Sequence, residues 1–167
     1  MPDNPIDPRA ILAKLEEVRA ETLKRLSPLT QEELDWRPGV KRADNNEDEW
    51  SLGEVFMHLA IDEHHLRENI ARPLLEGVKP PDSIEFLPPP PSYGLPKDAI
   101  LFWFERTRNL TRRLLESWPV DANLELRHHG GFEDAMNGPE WLLGYGGHEA
   151  FHHRQIDTLI DLYSRRA

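Results

Sequence analysis

Trp141-Leu-Leu-Gly-Tyr145-Gly-Gly-His148-Glu149-Ala-Phe-His152-His153-Arg-Gln155-Ile-Asp-Thr-Leu159-Ile-Asp-Leu162 is the stretch on which the reading of the fold turns. Taken in alternating steps of four and three, positions 141, 145, 148, 152, 155, 159 and 162 form one stripe, the signature of a buried helical seam. Its ends are apolar (Trp141, Leu159, Leu162), while its middle holds Tyr145, His148, His152 and Gln155. Residues four apart on a helix lie ~6 Å apart along the axis. Two imidazoles at that spacing can therefore turn toward one point ~2 Å from each nitrogen, the length of a metal–imidazole bond. Leucines would pack better in a core, so the pair implies a ligand, and a metal ion is the simplest one.

The rest of the chain supplies helices for this seam to pack against. Asp7-Pro8 reads as an N-cap followed by a first-turn proline. Ile11, Leu15, Val18, Thr22 and Leu26 then follow at helical spacing, predicting a first helix over about 8–26, with Arg19 among the residues on other faces. Thr30-Gln-Glu-Glu33 is a capping box for one short turn carrying Leu34 and Trp36. A second capping box, Ser51-Leu-Gly-Glu54, opens a helix that ends near Gly77, and Trp50 stands before it as a hydrophobic staple. Val55, His58, Leu59, Asp62, Ile70 and Leu74 share a face of that helix, with either His65 or Leu66 between. Residues 78–97, with Pro88 to Pro91, predict an extended crossover. A third helix is expected over about 97–117, with Ile100, Leu101, Phe104, Arg108, Thr111, Leu114 and Leu115 inward or nearly so. Leu124 to His129 suits a short extended piece before Gly130-Gly131. Asn137-Gly-Pro139 introduces the last helix, about 139–164. Gly144, Gly146 and Gly147 weaken its first turns by roughly 1 kcal/mol each relative to alanine, which is tolerable where a neighbour or ligand approaches closely. No internal repeat is visible. The expectation is one all-α domain over 1–167, a four-helix bundle with long connections.

Composition limits the function. At 167 residues the chain can bury a substantial core. A formal charge of −10, with 20 basic residues scattered among 30 acidic ones, argues against a nucleic-acid partner, whose phosphates would need a basic stripe. No apolar run reaches the ~18 residues of a membrane span, and the opening Met-Pro-Asp-Asn-Pro lacks a basic-then-apolar leader pattern. With no cysteine, a disulfide, a cysteine nucleophile and cysteine-ligated zinc are excluded. The expected protein is cytoplasmic and acts on a small molecule; sulfur chemistry, if any, would use the substrate's sulfur.

A two-histidine site needs a third donor. His58, two turns into the second helix, is a natural one, but Asp62 and His65 lie on nearly the same face and spacing alone leaves the choice open. His64, His128, His129 and His153 suit solvent or loop settings. The string His148-Glu149-Ala-Phe-His152 also matches the H-E-x-x-H pattern of zinc proteases, where the glutamate is the general base. That reading needs a third ligand downstream, and the only further histidine after His152 is His153, about a quarter turn away. Protease is therefore the disfavoured reading. Asp62 and Gln155 are candidates for orienting imidazoles or touching a substrate. Glu149 ranks below them, since it reaches the site only if the seam is rotated. Tyr145, Trp50 and Trp103 are candidates to wall a pocket, with core packing the alternative.

Three stretches taken together, Trp36-Arg-Pro, Trp50-Ser-Leu-Gly-Glu-Val-Phe-Met-His58-Leu and His148-Glu-Ala-Phe-His152-His-Arg-Gln155-Ile, resemble the DinB/YfiT-like superfamily of metal-dependent enzymes. The resemblance implies an up-up-down-down bundle whose divalent metal, zinc or nickel, is held by three histidines. It maps the first ligand onto His58 and the pair onto His148 and His152. Members commonly end the last motif His-Arg-Gly-Gln; here it reads His152-His153-Arg154-Gln155, without the glycine. Relatives of this kind include S-transferases that use the low-molecular-weight thiols bacillithiol or mycothiol, and many form homodimers. The leading expectation is a metal-dependent transferase placing such a thiol on a small electrophile. A hydrolase using metal-bound hydroxide and a non-catalytic metal-binding stress-response module are the alternatives.

Overall fold

The computed structural model describes residues 7–39, 50–82, 96–130 and 134–166. Helix α1 (Pro8–Leu26) begins where Asp7 caps it, its carboxylate accepting from the Arg9 N–H at 2.9 Å. Helix α2 (Gln31–Asp35) and helix α3 (Leu52–Leu66) both start on complete capping boxes, Thr30 with Glu33 and Ser51 with Glu54. The short α2 buries Leu34, and the Trp36 that follows it packs edge-on against Tyr163. A third capping box, Asn137 with Glu140, opens α6 (Gly138–Ser164), and α5 spans Lys97–Glu116. Among the described residues there is no strand; the extended piece expected near residue 128 is one isolated bridge, His128 to Met136.

The second long helix is not regular to its end. After α3 the chain widens into a π-helical turn, Arg67–Ala71, and resumes as α4 (Arg72–Leu75). Pro73 lies just inside α4 and gives the reason. It has no N–H to donate four residues back and its ring crowds that carbonyl, a conflict that a wider turn relieves. Gly77, at φ 74°, then takes the chain out of the helix.

Each long helix packs against two others: α1 on α5 and α6, and α3 on α5 and α6. Cross-helix bonds fix their directions. Arg19 pairs with Glu149 and Arg25 with Asp157, so α1 and α6 run parallel. Glu63 meets Arg108 and Arg67 meets Thr111, so α3 and α5 also run parallel. Tyr145 reaches Leu59 O, whereas Gly138 abuts Ala71 and Leu75, which makes α3 and α6 antiparallel. The order is thus up-down-down-up, and the expected up-up-down-down order is corrected. The physical reason lies in the cross-helix pairs: Arg19–Glu149 with Arg25–Asp157, and Glu63–Arg108 with Arg67–Thr111, form together only when the two helices of each pair run the same way. The proline cluster expected to form the crossover over residues 78–97 falls mostly outside the described residues.

Two apolar clusters fill the interior. One gathers Leu26, Leu34, Val55, Phe56, Leu59, Ile100, Phe104, Ile156 and Leu159; the other gathers Ile11, Leu15, Leu66, Ile70, Leu74, Leu115, Trp141, Leu142 and Tyr145. Every long helix carries a buried charged residue between the two in sequence that faces the others: Arg19 on α1, Glu63 (next to the buried Asp62) on α3, Arg108 on α5 and Glu149 on α6. They bond to one another. Arg19 donates to Glu149 (2.7 Å) and Glu63 (2.8 Å), and Arg108 donates to Glu63 (2.8 Å) and Glu149 (3.3 Å). Two cations and two anions make the layer neutral, and Thr22, Thr111 and Tyr145 occupy further bonding positions. Burial alone would raise the Glu63 carboxyl pKa, yet Arg19 and Arg108 hold it below the ordinary range.

This layer corrects the expected seam. An α-helix repeats every 3.6 residues, so a strict seven-residue stripe drifts ~20° per heptad on a straight helix. The buried face of α6 instead follows Trp141, Tyr145, Glu149, His152, Ile156 and Leu159, leaving Leu162 exposed and Gln155 half-buried. Arg19, expected on an outer face, is buried, and Leu101, expected near the interior, is exposed.

Candidate metal centre

Antiparallel packing of α3 on α6 brings two pairs of side chains, each one turn apart, face to face. His58 and Asp62 project from α3; His148 and His152 project from α6. The Nε2 atoms of His58 and His148 are 3.1 Å apart. Ring centroids are separated by 5.3 Å (His58–His148), 5.1 Å (His58–His152) and 4.5 Å (His148–His152). One nitrogen from each of the three rings falls within 4.8 Å of the others, a spacing that can hold one metal ion. Of the three candidates on α3 for the third donor, His58 is the histidine that meets the pair on α6, and Asp62 lies beside it. His65 stands apart, with Nδ1 3.0 Å from the Asn69 amide.

Burial prepares these rings as ligands. His58 and His152 are 6% and 1% exposed. Loss of hydration is the main reason the pKa of His58 falls to about 4; Asp62 opposes the fall, and His148 and His152 add to it. His152 is lowered too, first by burial and then by His148. Both are neutral near pH 7, so a metal ion has no proton to displace from them. The His148 side chain is 35% exposed and opens the cluster to solvent. His152 is also oriented. Its Nδ1 lies 2.6 Å from Gln155 Oε1, and a proton on Nδ1 donated to that oxygen leaves the Nε2 lone pair free.

Aromatic rings border the cluster on two sides. Trp50 tilts over His58 at 4.9 Å, and Phe151, 72% exposed, meets the His152 ring edge-on at 5.8 Å. Trp103 is on the exposed side of α5, edge-on to Phe102. Tyr145 is a core residue whose hydroxyl donates to Leu59 O and accepts from Arg19. Glu149, wholly buried, has its carboxylate engaged by Arg19, Arg108 and Thr22 on the other side of α6.

The remaining histidines are dispersed. His64 is exposed beside Arg67, and His153 is 2.8 Å from Thr22 Oγ1. His128, expected in a solvent or loop setting, lies in the loop before α6 but is buried against Trp141, because Gly130 at φ 51° folds the chain over that indole. Sequence reasoning missed the pairing of Arg19 with Glu63 and Glu149. The available signal was Arg19 standing one turn after Leu15 and just before Thr22, within the buried face of α1.

Comparison with known proteins gives a family. A family model described as the DinB superfamily matches residues 14–156, a range that includes His58, His148, His152 and the charged layer. No curated protein and no solved structure matches the chain.

Proposed function

The chain belongs to the DinB superfamily, and from that premise and the convergence of His58, His148 and His152 we propose a divalent-metal-dependent transferase that places a low-molecular-weight thiol on a small electrophile. The observation carrying the proposal is a set of three converging imidazoles that is buried at His58 and His152 and open at His148. Structural metal sites close all positions with protein ligands, whereas catalytic sites keep one for substrate or water. A divalent ion held there supplies Lewis acidity, which ionises a bound thiol near neutral pH.

The chain's own part is preparation. His58 and His152 remain neutral because they are dry, Gln155 fixes the His152 ring, and Trp50 and Phe151 offer apolar surface beside the cluster. Such surface suits an electrophile with an apolar or aromatic body. Zinc and nickel both accept imidazole ligands, and the donor set does not discriminate between them.

The test is turnover of a chlorinated aromatic acceptor with bacillithiol, mycothiol or glutathione, with and without added zinc or nickel. Metal-dependent turnover that disappears in His58→Ala supports the proposal. Tight metal binding without turnover on any thiol, or turnover untouched by His58→Ala, rejects it.

A further inference from the structure

Asp62 lies against two members of the imidazole cluster, His58 and His148. It is 4% exposed, and its Oδ2 is 3.2 Å from His58 Nε2 and 3.1 Å from His148 Nε2. With the 3.1 Å between those two nitrogens, the three atoms form a nearly equilateral triangle. The corners of such a triangle lie about 1.8 Å from its centre, so an ion about 1 Å off the plane meets all three at the ~2.0–2.2 Å of metal–imidazole and metal–carboxylate bonds. His152 stands beside this triangle with its Nε2 free to bind, 4.5 Å and 5.1 Å by ring centroids from His148 and His58.

We infer that Asp62 is a direct metal donor and that the centre is three histidines with one carboxylate. This rests on the metal-site reading above and changes its chemistry. Among the described residues, the other buried carboxylates near the charged layer, Glu63 and Glu149, are held by arginines. The ion-pair partners of Asp62 among the described residues are the two histidines. A buried carboxylate with imidazoles rather than a guanidinium or ammonium beside it is costly unless a cation compensates it, and a divalent ion at the triangle would do so.

The consequence concerns coordination number. Four protein donors saturate a tetrahedral ion, so a thiol or water has a position only on a five- or six-coordinate ion, or where Asp62 withdraws. The carboxylate also cancels part of the ion's charge. Asp62 therefore decides between an open centre and a closed, non-catalytic one.

A crystal structure of the zinc-loaded wild-type chain tests this, together with cobalt absorption spectra and chelator-competition affinities for wild type, Asp62→Asn and His58→Ala. An Asp62 oxygen about 2.0–2.2 Å from zinc is expected. The cobalt spectrum of Asp62→Asn should change in shape, with affinity lowered by more than the 10–100-fold that loss of an outer partner costs. Zinc on the three histidines with both Asp62 oxygens beyond about 3 Å, and an unchanged cobalt spectrum in Asp62→Asn, overturns the inference while leaving the histidine site intact. No zinc at the histidines, with His58→Ala binding as wild type does, overturns the metal-site reading itself.

Discussion

His148 and Glu149 are neighbours in sequence, yet they serve opposite sides of α6. His148 turns to His58 and Asp62 on α3, and Glu149 turns to Arg19 on α1 and Arg108 on α5. Successive residues on a helix are rotated by about 100°, enough to separate two roles that the H-E-x-x-H string would merge. In a zinc protease that glutamate faces the metal; here its carboxylate is occupied by two guanidinium groups and the Thr22 hydroxyl.

Glu149→Gln is therefore expected to act on stability. It leaves Arg19 and Arg108 sharing one carboxylate in a dry interior, and breaking one side of a buried ion pair costs about 3–5 kcal/mol. Urea denaturation should show that loss, while zinc affinity by titration calorimetry at a temperature where the variant is folded stays within a few-fold of wild type. A variant of wild-type stability that has lost metal would place Glu149 at the centre instead.

Gln155→Leu should do the reverse. The side chain is half-buried and holds His152 through Nδ1, so its removal costs little packing and frees the ring to rotate. Outer partners of metal-bound histidines are worth 10–100-fold in affinity. Competition against a chromophoric chelator should report a loss in that range, with an unchanged melting temperature for the metal-free protein.

The helix ends were legible because capping is local: Asp7, Thr30, Ser51 and Asn137 each announce a start within three residues. The histidine pair on α6 was legible for the same reason, since a four-residue step needs no knowledge of neighbours. His58 required its partner helix, and at that distance the sequence offered His65 and Asp62 on equal terms. The charged layer was less legible still. Arg19, Glu63 and Glu149 look like solvated residues until three other helices arrive to neutralise them. Chain direction escaped as well, because periodicity shows which face is buried but not which end of a partner it meets.

The metal-free protein should lose stability on mild acidification. His58 has a folded pKa of about 4, against an ordinary ~6.5 when unfolded. Between those values the unfolded chain binds the proton and the folded chain resists it, so stability rises with pH through that window and is lost as pH falls. The contribution is fully present above about 6.5 and amounts to roughly 3 kcal/mol, with His152 acting in the same direction. Melting temperature followed from pH 7 to pH 4.5 should fall for wild type and much less for His58→Gln. Parallel curves for the two would show that the ring is hydrated in solution.

Two glycines of α6 should respond oppositely to alanine, although both lie in one helix. A methyl group on Gly138 would sit 2.8 Å from Leu75 Cγ and 2.9 Å from the Ala71 carbonyl oxygen. The second of these is backbone and cannot rotate away, so Gly138→Ala pushes the start of α6 off α4, at a cost of about 1–3 kcal/mol. At Gly147 a methyl group meets nothing within 4 Å, and its helix propensity returns up to about 1 kcal/mol. For a domain of this size 1 kcal/mol moves the melting temperature by ~2–4 °C, within reach of calorimetry. Gly147 immediately precedes His148 on the open side of the cluster. If Gly147→Ala is more stable yet turns over more slowly, the space beside His148 is kept for substrate; equal turnover would make that glycine a simple loss of helix stability.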